Sequence, residues 1–180
     1  MRAVLDADVL FGVLVRDTLL TLGAQRFGLY TPIWSEEILA ELERNQRRKL
    51  GRPADKVAQL LADMRDAFPT ASQKPDPQAV DAMPNHPKDR HVLALAVSEP
   101  GTRVVTNNLR HFRRADWLGV VVQTPDEFLC DLFDMRPAVV RAAVSAQAAR
   151  LTRPPQTPEQ LIERYAIVGL VEFAARLLSA

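Results

Sequence analysis

The sequence predicts an α/β fold, a three-layer arrangement with a central parallel sheet flanked by helices. Three observations predict it. Short runs rich in Val, Leu and Tyr alternate with longer segments whose apolar residues recur at helical spacing. The alternation persists from the first residues to about Asp134, the order that parallel strands with crossover helices require. Acids and asparagines stand just beyond the apolar runs, at Asp6, Asp8, Asn107 and Asn108, where sites form in such sheets.

Taken in order, Ala3-Val4-Leu5 reads as a short buried strand ending in acids. Val9 to Leu22 has helical spacing and ends near Gly23. Gly28 to Pro32 reads as a second strand stopped by proline. Ser35 is a good N-cap, with Glu36 and Glu37 in the positive first turn of a helix running to about Leu50. Pro53 starts another helix, Ala54 to Phe68, with Val57, Leu60, Leu61 and Met64 on one face. Thr70 to Asn85 is polar and proline-broken, and no element is assigned there. Pro87 suits the first turn of a helix bearing Val92 to Val97, with His86 as its cap and Pro100-Gly101 as its stop. Arg103 to Thr106 and Val120 to Val122 complete the strands, and Pro125 opens a helix carrying Phe128, Leu129, Leu132 and Phe133. Beyond these, Pro137 to Arg150 and Thr157 to Leu178 read as two more helices. The division is a domain at 1–134 and a helical extension at 135–180.

Charge is nearly balanced, with 23 Lys and Arg against 22 Asp and Glu in 180 residues, so overall charge points to no polyanion. The single cysteine, Cys130, excludes an internal disulfide framework and a Cys-rich zinc site, and it reads as core. No stretch approaches the roughly 18 apolar residues of a membrane span, and Met1-Arg2 does not begin a signal peptide. A cytoplasmic location is the expectation.

Asp6, Glu41 and Asp89 carry the chemical argument. Hard cations such as Mg²⁺ or Mn²⁺ take oxygen ligands, usually carboxylates with water and substrate phosphate. Crowded carboxylates repel one another unless a cation neutralises them. Asp6 is the expected ligand of the first pair, and Asp8 the expected helix cap with a compensating role at the metal. Glu41 lies beside the apolar stripe of its helix, and Asp89 at the third position after the His86 cap. Arg44 and Arg48, with Arg47, Lys49, Arg52 and Lys56, form a basic run beyond Glu41; Arg110, Arg113 and Arg114 form another. Both are candidate phosphate contacts for RNA. Trp34 and Trp117 read as buried packing, and His91 and His111 as surface histidines, His111 with an alternative as base or ligand.

These blocks resemble the PIN-domain family. The matching stretches are Val4 to Leu10, Trp34 to Leu42, Lys88 to Ala96, Val104 to Phe112 and Thr124 to Leu129. The resemblance covers residues 1–134 and extends to VapC-type toxins of bacterial toxin–antitoxin pairs. It implies a Mg²⁺- or Mn²⁺-dependent endoribonuclease, a hydrolase of RNA phosphodiester bonds, held by an antitoxin protein and forming a homodimer. It places Asp6, Glu41 and Asp89 at the family's first three acidic positions. Asn108 stands at the fourth, and His111 where an acid is often found. Asp116 is the next carboxylate, with no motif behind it. The departures at Asn108 and His111 motivate an alternative, a catalytically weakened PIN-like RNA- or protein-binding module. A response-regulator or phosphatase-like domain also places acids at strand ends, but needs a strand-end lysine that Thr106 lacks nearby. The apolar stretch from Ile167 to Leu178 is expected to pack on the domain, cover a dimer surface or bind an antitoxin.

Overall fold

The computed structural model describes residues 1–179. The strands are β1 (Arg2–Leu5), β2 (Thr31–Ile33), β3 (Thr102–Val105) and β4 (Val122–Gln123). The helices are α1 (Ala7–Phe11), α2 (Val13–Gly23), α3 (Glu36–Leu50), α4 (Ala54–Ala67), α5 (Pro77–Ala82), α6 (Arg90–Val97), α7 (Pro125–Met135), α8 (Pro137–Arg150), α9 (Pro158–Ile167) and α10 (Val171–Leu178). The chain groups into two compact units, Met1–Phe11 with Tyr30–Gln123, and Gly12–Leu29 with Thr124–Ala180.

The first unit holds the sheet. Its four strands are parallel in the order β2-β1-β3-β4. Val4 of β1 faces Ile33 on one side and Val104 on the other, and Ala3, Val4 and Leu5 are fully buried. A strand covered on both faces needs an unbroken apolar run, which is what Ala3 to Leu5 provide. The chain leaves β1 toward β2 on one side and reaches β3 on the other. The carboxyl ends of β1 and β3 therefore flank the point where strand order reverses.

The second strand lies later than expected, at Thr31–Ile33, with Pro32 inside it. β2 is an edge of the sheet, the position where a strand tolerates a residue without an N–H. The single helix expected from Val9 to Leu22 is two. Gly12 adopts an extended conformation (φ −75°, ψ 120°) between α1 and α2, at the residue with the poorest helix propensity after proline. Ser35 caps α3 as expected, its Oγ accepting from the Ile38 N–H at 3.2 Å. The unassigned segment after Thr70 contains α5, capped by Asp76. Pro87 to Asp89 form a 3₁₀ turn, and α6 begins only at Arg90. Val92 to Ala96 are buried, and α6 packs against β1 and β3. The turn thus hangs from a helix fixed to the centre of the sheet.

The second unit is helical. Reciprocal capping boxes start α7 (Thr124 with Glu127) and α9 (Thr157 with Gln160). The helix expected from Thr157 to Leu178 divides into α9 and α10 around Gly169, whose φ of 92° a residue with a Cβ rarely adopts. Phe173 and Leu177 are buried on one side of α10, while Ile167, Val168, Val171 and Leu178 are exposed. Cys130 is buried, as expected of a core residue. Tyr165, Gln147 and Thr18 form a buried polar cluster, with the Tyr165 hydroxyl donating to Gln147 Oε1 at 3.0 Å.

Asp126 of α7 accepts from the Glu172 N–H at 3.0 Å and the Phe173 N–H at 2.9 Å. It satisfies two donors at the start of α10 that no helical carbonyl reaches. Asp126→Ala is expected to lower the unfolding free energy by about 1–2 kcal/mol in urea titrations. Asp126→Asn, which keeps one acceptor, is expected to lose less.

Candidate metal centre and nucleic-acid interface

All sheet-end candidates lie in the first unit. Asp6 follows β1 directly and is 5% exposed. Its N–H donates to the Val105 carbonyl at 3.1 Å, so β1 and β3 fix its backbone. Oδ1 accepts from the Ala7 N–H at 2.7 Å, and Oδ2 accepts from the Thr106 hydroxyl at 2.8 Å. Burial raises the Asp6 pKa, the bonds from Thr106 and Ala7 oppose this, and the charges of Asp89 and Glu41 raise it further. Asp89 and Glu41 are thus electrostatic neighbours of Asp6.

Asp8 is not the cap it was expected to be. It lies in the first turn of α1, whose start is served instead by Asp6. Asp8 Oδ2 accepts from the Asn107 N–H and the Asn108 Nδ2 group, each at 3.0 Å. Its Oδ1 is buried and has no hydrogen-bond partner. Burial, then repulsion from Asp6, pushes the Asp8 carboxyl from 3.8 up to about 7. Asn108 turns its amide toward Asp8, and its backbone N–H donates to Thr106 Oγ1 at 3.1 Å. Asp116 is exposed in the 3₁₀ turn Ala115–Leu118.

Glu41 lies on α3, half-buried, and accepts from Lys88 Nζ at 3.0 Å. That bond, followed by the nearby Glu41, Asp89 and Asp6 charges, raises the Lys88 pKa. Lys88 was not singled out from the sequence; its signal was its place directly before Asp89.

Asp89 is 5% exposed. Its Oδ2 lies 2.9 Å from His111 Nδ1 and 3.7 Å from His86 Nδ1. Among the described residues, His86, Asp89 and His111 are the one group of three or more His, Cys, Asp or Glu side chains whose ligand atoms close to within 4.8 Å. His111 is therefore not a surface histidine, and neither is His91, which is buried with Nδ1 3.6 Å from Glu37 Oε1.

The donor chemistry of Asp6, Asp8, Asp89 and Glu41 fits a hard divalent cation. Asp8 Oδ1 is a buried acceptor lacking a donor, and the Asp6 and Asp8 carboxyls are destabilised as anions by burial and by each other. A cation relieves both conditions. Asn108 contributes no negative charge.

Basic side chains line a groove that includes Glu41. An open groove of about 430 Å³ is lined by Glu41, Arg44, Asn45, Arg48, Lys49 and Lys88. Arg110, Arg113 and Arg114 are exposed in and around the 3₁₀ turn Leu109–Phe112. Trp34 is fully buried, as expected. Trp117 is not: it is 70% exposed, with the Arg114 guanidinium 5.0 Å from its ring centre. A tryptophan left in water beside a cation presents a stacking face.

A parallel sheet flanked by helices, with acids at its switch point and a helical C-terminal segment, is a PIN-like α/β fold. Residues 125–179 match the family model of the VapC50 C-terminal domain. A Mycobacterium tuberculosis protein (strain ATCC 25618 / H37Rv) named "Putative ribonuclease VapC50" is 37% identical over 86 residues, which are 47% of this chain and 51% of that protein. The chain therefore spans about half the length of the relative it matches. No solved structure gives a match. Both matches carry the VapC name, the family-model match over the C-terminal segment alone and the relative over about half of each chain.

The raised Asp8 pKa has a consequence for stability. Between pH about 4 and about 7 the unfolded chain releases the Asp8 proton while the metal-free fold retains it, so stability falls as pH rises through that window. Thermal melts in chelator are expected to show a midpoint that drops between pH 5 and pH 8. The sensitivity is at most a few kcal/mol, at about 1.4 kcal/mol per pKa unit. Asp8→Asn is expected to flatten this slope; an unchanged slope would refute the assignment.

Proposed function

We propose that the chain is a metal-dependent endoribonuclease, the toxin component of a toxin–antitoxin pair. The observation that carries this reading is the Asp6–Asp8 pair, one buried and one half-buried, at the β1/β3 switch point, with Asp89 and Glu41 as electrostatic neighbours. The relative named as a VapC50 ribonuclease supports it.

Asp6, Asp8, Asp89 and Glu41 would hold Mg²⁺ or Mn²⁺. When bound, such an ion activates water for attack on a phosphodiester and neutralises charge at the leaving oxygen. The chain's own residues do the rest. Thr106 orients Asp6, and Asn107 and Asn108 orient Asp8. Lys88, Arg44 and Arg48 offer cations to the substrate phosphates along the groove beside Glu41. Arg110, Arg113 and Arg114 extend the positive surface, and Trp117 offers a face to an unstacked base. Single-stranded RNA is the substrate class such a surface fits. An antitoxin, a homodimer and a cytoplasmic location belong to the same proposal; no helix among the described residues is long and apolar enough to cross a membrane.

One observation favours the second reading, a weakened PIN-like binding module. Lys88 neutralises Glu41 without a metal, and Asn108 is uncharged. Cleavage of single-stranded RNA by the purified chain separates the two. With Mg²⁺ or Mn²⁺ present, Asp6→Ala and Asp89→Ala are expected to lower cleavage at least about 10³-fold, in line with loss of the charges that hold the metal. Full activity in both variants would sink the nuclease reading. RNA binding without cleavage in the unmodified chain would establish the binding module.

A further inference from the structure

The oxygen-rich cluster leaves two imidazoles without a role. His86 and His111 stack with ring centres 4.6 Å apart and planes 19° from parallel. The His86 N–H donates to the His111 carbonyl at 3.0 Å, and the Asp89 N–H donates to the His86 carbonyl at 2.9 Å. The first of these bonds ties two segments distant in sequence and the second closes the turn, and both ring Nδ1 atoms lie within 3.7 Å of one carboxylate oxygen.

Two of the three donor separations approach those of ligands around one ion, and a turn of the stacked rings is needed to bring both Nδ1 lone pairs onto it. Metal–ligand bonds of about 2.0–2.2 Å put neighbouring donors about 3.0 Å apart in octahedral geometry and about 3.4 Å apart in tetrahedral geometry. Asp89 Oδ2 lies 2.9 Å from His111 Nδ1 and 3.7 Å from His86 Nδ1. The His86 Nδ1 lone pair already faces a donor, accepting from the Lys88 N–H over a long 3.3 Å. Asp89 is buried, His111 half-buried and His86 exposed, so the carboxylate is fixed inside and the outer ligand opens to solvent.

We propose that His86, Asp89 and His111 form a binding site for a borderline transition-metal ion of the Zn²⁺ class. Two nitrogens and one oxygen suit Zn²⁺ and its neighbours, whereas Mg²⁺ prefers an all-oxygen set. Three protein ligands leave a coordination position for water. The inference does not rest on ribonuclease activity, since binding is read directly from the metal.

Co²⁺ serves as the spectroscopic stand-in for Zn²⁺, titrated into the full chain. With Mg²⁺ in large excess to fill the acid cluster, saturable binding of one Co²⁺ with visible d–d absorption is expected, displaced by Zn²⁺. Outer-shell partners alone affect metal affinity by about 10–100-fold, so loss of a direct ligand should weaken binding at least about tenfold. His86→Ala and His111→Ala are each expected to do so, and His86, being exposed, tests the site with little risk to folding. Asp6→Asn is expected to retain binding. No saturable Co²⁺, unchanged affinity in His86→Ala, or a loss in Asp6→Asn equal to that in His86→Ala would each overturn the site. The last outcome would put the ion in the acid cluster instead.

Discussion

The Thr106 hydroxyl, fully buried at the end of β3, donates to the Asp6 carboxylate at the end of β1. Around this bond the first unit has to solve one problem: carboxylates withdrawn from water close to each other. A hydroxyl carries one proton, and Asp6 at 2.8 Å takes it in preference to Asp8 at 3.4 Å. Asp8 must then rely on the Asn107 N–H and the Asn108 amide, and even these leave Oδ1 unpaired. Neutral donors of this kind are each worth about 1–3 kcal/mol to a charged acceptor. Burial and the neighbouring charge outweigh them, which is why both carboxyls titrate high.

Glu41 and Asp89 are compensated differently, by side chains that can carry charge. Glu41 is half-buried and reachable by a long flexible side chain, so Lys88 pairs with it. Such an exposed pair contributes about 1 kcal/mol or less and yields readily to a stronger cation. Asp89 is deeply buried, out of reach of a solvated ammonium, and it meets His111 instead. Within the first unit, Asp6 and Asp8 are met by neutral donors, Asp89 by an imidazole and Glu41 by an ammonium.

Much of this was legible in the sequence, and the parts that were not share a cause. Asp6, Glu41 and Asp89 could be read because each lies at a fixed offset from an apolar run, and the runs set the strands and helices. Ser35 as a cap and the buried Trp34 follow from local rules as well. What escaped depended on contacts between distant segments or on exposure. His86 and His111 are 25 residues apart by numbering, and only the 3₁₀ turns after Asn85 and Asn108 bring their rings together. Trp117 reads as core by composition, yet its turn, closed by Gly119 in the left-handed region (φ 68°), leaves the ring in water. Acids favour helix starts, so Asp8 reads as a cap; instead its carboxylate accepts from the Asn107 N–H and the Asn108 amide. The breaks at Gly12 and Gly169 were missed because a lone glycine within a helical pattern is usually tolerated.

Asp89 gives the molecule its coupling. Its carboxylate faces the two imidazoles and also acts electrostatically on Asp6. A cation held by the histidines would cancel the Asp89 charge that Asp6 feels, lowering the repulsion that an ion at Asp6 and Asp8 would otherwise relieve. By linkage the effect is reciprocal: whatever one ion does to the affinity of the other, the second does equally to the first. If both proposed sites are occupied, Asp89 stands between an oxygen-rich set and a nitrogen-rich one, and each ion is felt at the other through its carboxylate.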